Sequence, residues 1–316
     1  MAQTFSIFGD SISTFAGFNP PGFDVFYSDK RLAKTGVTSV EQTWWHLLIQ
    51  HFGGELLKNG SFSGSLVEGG FFPAGDSDAR ADAVLGDNGE APDVIVCFIG
   101  INDYGWGGAK MNADGHGSAT PAELAAAAPA EKVIAELADP AQAERFEAAY
   151  ASMLARLRLR CPNAEIWCVT LVPGRIAGHT SPQFAYDFRG VPFASYNDAI
   201  RRCARAASAH VADAFACGMD YEAIEGTHPT ARGMRQLAGM FAWSMRHEAE
   251  IYAALGTGDR GLATLPQSAL PAELLTEWEN PEIWRSRALC PNSPCTFCEH
   301  AMAPNNAWLL MCDNEG

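Results

Sequence analysis

The sequence predicts an α/β fold: a central parallel sheet with helices on both faces, followed by a small cysteine-rich C-terminal tail. Three observations lead there. The stretch "DVIVCFIG" (93–100) is nearly unbroken Val, Ile and Phe, which suits a strand covered on both faces. Short apolar runs of this kind alternate with stretches whose apolar residues recur at helical spacing, and strands separated by helices pair in parallel. The chain has 316 residues, 47% hydrophobic and 19% charged, enough for one large domain with a sizeable core.

The elements follow in order. "TFSIFG" (4–9) reads as a buried strand that stops at Gly9-Asp10-Ser11. "EQTWWHLLIQHFG" (41–53) is a helix with Trp44 and Trp45 on its core side. "ELLKNGS" (55–61) is a short strand running into a polar turn, and 93–100 is the next strand. "PAQAERFEAAYASMLARLRLRCP" (140–162) is an amphipathic helix and "AEIWCVTLVP" (164–173) a further strand. A helix over 193–210 precedes the short strand "VADAF". Pro229 near its start opens one long helix over 229–255. In a parallel sheet, ligands sit at the C-terminal ends of the strands. The residues that follow 4–9, 55–59 and 93–99 should therefore be neighbours.

Residues 1–255 make up the main domain. The Gly- and Ala-rich stretch 104–139 reads as an insertion or lid over the strand ends. Residues 256–281 are a Gly/Pro-punctuated linker, and 282–316 form the tail.

Charge excludes some functions. With 22 basic and 37 acidic residues the formal charge is −15, a surface that repels nucleic acid and anionic membranes. No run reaches the roughly 18 apolar residues of a membrane span. The start "MAQTFSIFGDS" has neither the basic nor the long apolar part of a secretory signal. The nine cysteines, an odd count, then suggest reduced thiols and a cytoplasmic protein.

The polar residues at the strand ends suit acyl transfer. Asp10 and Ser11 follow the first strand, Ser63 and Gly64 the second, and Asn102 and Asp103 the third; "EGTHPTARG" (225–233) stands before the last helix. A serine hydroxyl is a poor nucleophile without a base, and His228 is the candidate base. An imidazole needs a partner on its other nitrogen, and Glu225 lies three residues before it. The oxyanion of a tetrahedral intermediate needs donors aimed at it in advance; the Ser11 and Gly64 N–H groups and the Asn102 amide are the candidates. Asp10 reads as support for the nucleophile turn, and Asp103 as a second support. Phe71, Phe72 and Trp106 follow strand ends and are candidates to line a pocket. His116 and His179 lie in Gly-containing loops, where a solvated histidine is the expected state.

Taken together, "GDS" (9–11), "SGS" (63–65), "GIND" (100–103) and "EGTHP" (225–229) resemble the four blocks of the SGNH, or GDSL-like, hydrolase superfamily, in the same order. The resemblance spans roughly residues 4 to 255. It implies a flavodoxin-like three-layer α/β/α sandwich. It also implies Ser11 as nucleophile, His228 as base, and Ser11, Gly64 and Asn102 as oxyanion donors. One position departs: the family usually has Asp where this chain has Glu225, one methylene longer. Asp213, Asp220 or a backbone carbonyl are the alternatives for orienting the imidazole.

These residues imply a serine esterase with no catalytic cofactor, and the resemblance implies small O-acyl esters, acetyl foremost, with acylated carbohydrate as the favoured substrate. The alternatives are acyl transfer to another acceptor, thioesterase or lipase-like hydrolysis, a non-catalytic carbohydrate-binding module, or an interaction protein. In the tail, Cys290, Cys295, Cys298 and Cys312 have the makings of a tetrahedral S₄ zinc site, with His300 able to replace one thiolate. Reduced thiols or a disulfide pair are the other reading of the same residues.

Overall fold

The computed structural model describes residues 2–106, 141–176, 193–224 and 226–270. Its strands are β1 (Thr4–Gly9), β2 (Glu55–Asn59), β3 (Val94–Phe98), β4 (Glu165–Val169), β5 (Gly174–Ile176), β6 (His210–Ala212) and β7 (Tyr221–Ala223). Among the described residues, five of them form one parallel sheet in the order β2-β1-β3-β4-β6. This is the 2-1-3-4-5 order of flavodoxin-like, doubly wound sheets. β5 and β7 pair separately as a short parallel ribbon.

The helices are α1 (Lys30–Thr35), α2 (Trp44–His51), α3 (Asp78–Asp82), α4 (Ile101–Trp106), α5 (Gln142–Arg160), α6 (Phe193–Ala206), α7 (Ala231–Arg246) and α8 (Glu248–Leu255). On one side α2 packs on α7; the Trp44 ring stands edge-on to Phe98 at 5.8 Å and to Phe241 at 5.1 Å. On the other, α5 packs on α3 and α6, with Phe146 against Tyr196 at 4.9 Å. All residues of β3 are buried, as a strand covered from both sides requires. Trp44 and Trp45 are core residues, and Cys97, Cys161, Cys168, Cys203 and Cys217 are buried free thiols.

Register places the site. Gly9 is level with Phe98, and Ile7 with Asn59, so the turns after β1, β2 and β3 leave the sheet at one height. The strand order reverses between β1 and β3, which makes their C-terminal ends the switch point where doubly wound sheets hold ligands.

Two element boundaries differ from expectation. The helix expected over 229–255 is two helices, broken at His247. Its ring stacks on Trp243 (centroids 4.8 Å apart) and its Nδ1 approaches the Trp243 carbonyl at 2.9 Å. Glu248 then accepts the Val211 N–H at 2.7 Å, pulling α8 toward the edge of the sheet. The helix expected over 193–210 stops at Ala206. Ser208 turns left-handed (φ 51°) and the Ala209 N–H returns to the Ala204 carbonyl, which frees His210 to enter β6.

Beyond α8 the chain returns to the core. Leu265 and Leu270 are buried. Arg260 ion-pairs with Asp213 inside the protein, while its N–H donates to Asp198. Residues 107–139 of the insertion, Glu225, and the tail with Cys290, Cys295, Cys298, His300 and Cys312 lie outside the described residues, as do His116, His179 and the Trp106 side chain. Among the described residues, no helix is long and apolar enough to cross a membrane, and no group of three or more His, Cys, Asp or Glu is placed to hold a metal.

Candidate active site

The turn after β1 is built for close quarters. A Cβ on Gly9 would lie 2.4 Å from Ser13 Oγ and 3.0 Å from the Phe98 carbonyl oxygen, so only glycine fits. Asp10 then caps a one-turn 3-10 helix, Ser11–Ser13, accepting the Ile12 N–H at 3.0 Å. Ser11 is the first residue of that turn, where a backbone N–H has no partner within the helix. The cap is therefore Asp10, which leaves the Ser11 hydroxyl for other contacts. Burial pushes the Asp10 carboxyl up to about 7, against the Ile12 N–H and the nearby Arg80.

His228 reaches Ser11 from the far end of the chain: its Nε2 lies 2.9 Å from Ser11 Oγ. The segment carrying it is stapled on several sides. The Ile224 N–H donates to the His228 carbonyl at 3.0 Å, and Ala223 bridges to Pro229. Tyr221 Oη donates to the Thr227 carbonyl at 2.7 Å, and Tyr27 Oη to the Pro229 carbonyl at 2.9 Å. Thr230 then caps α7, accepting the Gly233 N–H. Of the alternatives to Glu225, Asp213 gives both carboxylate oxygens to Arg201, and Asp220 pairs with Arg175. Both alternatives thus already carry an ion pair to an arginine.

The turn after β2 meets the helix after β3. Gly64 takes a left-handed φ of 81° with open space where a Cβ would stand. A ligand can approach its backbone there, and few other residues adopt that conformation without strain. Asn102 is 3% exposed and donates from Nδ2 to the Ser65 carbonyl at 2.9 Å. A primary amide carries two such hydrogens, so this bond orients the group and leaves a second donor. Asp103 accepts the N–H groups of Val67 and Glu68 at 2.9–3.1 Å, tying the same loop to α4. Burial pushes its carboxyl up to about 7 even so.

Two contributors have no signal in the sequence. Arg80 sits in "DSDARADA", a context that reads as an exposed helix, yet it is fully buried over the Phe8 ring. It donates to the Gly9 carbonyl at 2.8 Å, to the Pro73 carbonyl at 2.8 Å and to Ser65 Oγ at 2.5 Å. One side chain thus joins the end of β1 to the Gly64 loop. Burial holds its guanidinium down, at about 9. Phe26 lies flat on the His228 imidazole, with centroids 3.5 Å apart and planes 2° apart. Of the expected pocket aromatics, Phe72 packs on Phe23 and Phe62, at 5.2 and 5.1 Å, and Phe71 is 83% exposed.

The fold and this site define a doubly wound α/β protein with a serine–histidine pair at its sheet's switch point. Residues 3–145 match the family GDSL-like lipase/acylhydrolase, consistent with the SGNH hydrolases that the four blocks resemble. The match holds the "GDS", "SGS" and "GIND" blocks; "EGTHP" follows it. No curated protein matches the chain. Similar solved structures include a candidate GDSL-like lipase of Bacteroides ovatus: 24% identity, 78% of this chain and 99% of that one, TM-score 0.49. One from Bacteroides uniformis has 23% identity, 78% and 96% coverage, and a TM-score of 0.49. A carbohydrate esterase family 2 enzyme of Corynascus thermopiles, with its carbohydrate-binding domain, has 17% identity, 80% and 67% coverage, and a TM-score of 0.44.

Proposed function

We propose that the chain is a serine esterase acting on small O-acyl esters through an acyl-enzyme on Ser11. The observation that carries this reading is the 2.9 Å contact between Ser11 Oγ and His228 Nε2 at the C-terminal end of β1. In the proposed reaction Ser11 Oγ attacks the ester carbonyl carbon while His228 Nε2 takes the hydroxyl proton. Negative charge moves to the carbonyl oxygen, where the Ser11 and Gly64 N–H groups and the remaining Asn102 amide hydrogen serve as donors. The carbon–oxygen bond to the alcohol then breaks, and His228 returns the proton to the departing oxygen. Water repeats the attack on the acyl-enzyme, giving its proton to His228, and the acid leaves as Ser11 recovers its hydrogen. Glu225 is the proposed partner of the second imidazole nitrogen; Asp10 and Asp103 hold the turns.

Acetyl is the favoured acyl group and carbohydrate the favoured alcohol portion, a choice that rests on the family resemblance. A panel of acetylated sugars alongside p-nitrophenyl esters of increasing chain length tests it; preference for long chains would move the reading toward a lipase. Hydrolysis of p-nitrophenyl acetate by wild type, lost in Ser11→Ala, is the expected result for the activity itself. Equal background rates in both would favour a non-catalytic carbohydrate-binding protein. For the tail, the proposal remains structural zinc on Cys290, Cys295, Cys298 and Cys312 in a cytoplasmic protein. Metal content that is unchanged in Cys295→Ser would overturn the site.

A further inference from the structure

Phe26 is connected to both halves of the serine–histidine pair. Its ring covers the His228 imidazole face to face at 3.5 Å. Its backbone N–H donates to Thr14 Oγ1 at 2.9 Å, and that hydroxyl donates to the carbonyl of Ser11 itself at 2.9 Å. Thr14 is fully buried, so the link is shielded from water. A face covered by a parallel ring at 3.5 Å has no room for a second group. The Arg31 guanidinium, 4.7 Å from the Phe26 centroid, therefore takes the other face. The next residue, Tyr27, packs edge-on against Phe26 at 5.1 Å and donates to the carbonyl of Pro229, beside the histidine.

From this we infer that Phe26 is the positioning residue for the His228 imidazole, setting its plane against the nucleophile turn through Thr14. The inference rests on the esterase reading above, in which His228 takes the Ser11 proton. An imidazole held by a carboxylate at one nitrogen can still rotate about that bond; a ring across its whole face removes that freedom. The stack also suits the reaction. Two neutral rings disfavour a full sandwich, whereas a cationic ring over a phenyl face is attracted to it. The contact therefore strengthens as the imidazole gains the serine proton, which makes it a transition-state contact more than a substrate contact.

The test is the rate at which a fluorophosphonate labels Ser11, which needs no knowledge of the natural substrate, together with p-nitrophenyl acetate kinetics on the full chain. Phe26→Leu is expected to slow labelling and lower kcat by about tenfold to a hundredfold, the scale of a small misplacement of a reacting group, with KM within about twofold of wild type. Phe26→Tyr keeps the ring face and should stay within about threefold of wild type. Thr14→Val should lower kcat in the same manner, and its effect should fall short of adding to that of Phe26→Leu, as expected of two parts of one link. By NMR, the His228 ring protons should lie upfield in wild type and in Phe26→Tyr, shifted by the phenyl ring current, and move downfield in Phe26→Leu. A Phe26→Leu protein that labels at the wild-type rate, or a Phe26→Tyr protein as slow as Phe26→Leu, would overturn the inference while leaving the esterase reading intact. Failure of wild type to label at all would remove the esterase reading and this inference with it. If Phe26→Leu does not fold, Phe26→Met carries the same expectation.

Discussion

Ser11 Oγ and His228 Nε2 stand 2.9 Å apart although 217 positions separate them in the chain. Nothing local brings them together. The serine is delivered by the end of β1 and the histidine by the loop between β7 and α7, which is held in place by the packing of α7 on α2 and β7 and by the Tyr27 hydroxyl on the Pro229 carbonyl. Replacing His228 with Ala should lower kcat for p-nitrophenyl acetate by about a thousandfold or more, with the fold unchanged by circular dichroism. A loss under about tenfold would mean that another group takes the serine proton.

Asn102 has one amide hydrogen on the Ser65 carbonyl and one left over. Removing a single oxyanion donor typically costs about 10²–10³ in kcat. Asn102→Ala should fall in that range, with KM changed little. A variant that loses KM and keeps kcat would place the residue on the ground-state substrate instead.

Arg80 is the buried join between the nucleophile turn and the Gly64 loop. Arg80→Met takes one donor from the Gly9 and Pro73 carbonyls, which keep the Phe62 N–H and the Ser65 hydroxyl, and leaves Asp10 without the cation near it. Breaking one partner of a buried charged arrangement costs about 3–5 kcal/mol, and urea denaturation should show a loss of that order. Arg80→Lys keeps the charge but lacks the forked donors, so it should recover only part of it. A neutral result for Arg80→Met would show that the loop holds its place without the guanidinium.

Asp103 supplies a pH dependence with a definite sign. Its carboxyl, ordinarily near 3.8, is pushed up to about 7 chiefly by burial. Between those values the folded protein holds a proton that the unfolded chain has released. The stabilisation is complete below about 3.8 and is lost as pH rises through about 7. Asp10 is raised by burial to about 7 as well and acts in the same window. The unfolding free energy of Asp103→Asn, measured in urea from about pH 4 to about pH 7, should decline less steeply than that of wild type. Identical slopes would show that Asp103 is already ionised in the folded protein across that range.

The sheet was legible because its strands are short apolar runs bounded by turn residues, and a run such as 94–98 has few other uses. The site residues at strand ends were legible because the sheet's geometry requires those ends to meet. The break at His247 was not. The helical period continues across it, and the cause is a tertiary contact, Glu248 on the Val211 N–H. Ser208 is similar, since a left-handed serine leaves no mark in composition. Arg80 and Phe26 escaped for the opposite reason. Each acts through partners distant in sequence: Arg80 on Gly9, Phe26 on His228. An arginine in a polar stretch and a phenylalanine in an aromatic loop have ordinary explanations until the partner is seen.

The most direct test of the serine–histidine pair is to react the full chain with a fluorophosphonate and map the modified peptide by mass spectrometry. The account predicts a single adduct on Ser11, formed rapidly by wild type and at a rate lower by orders of magnitude in His228→Ala. An adduct on another residue, or equal labelling of Ser11 with and without the histidine, would contradict it.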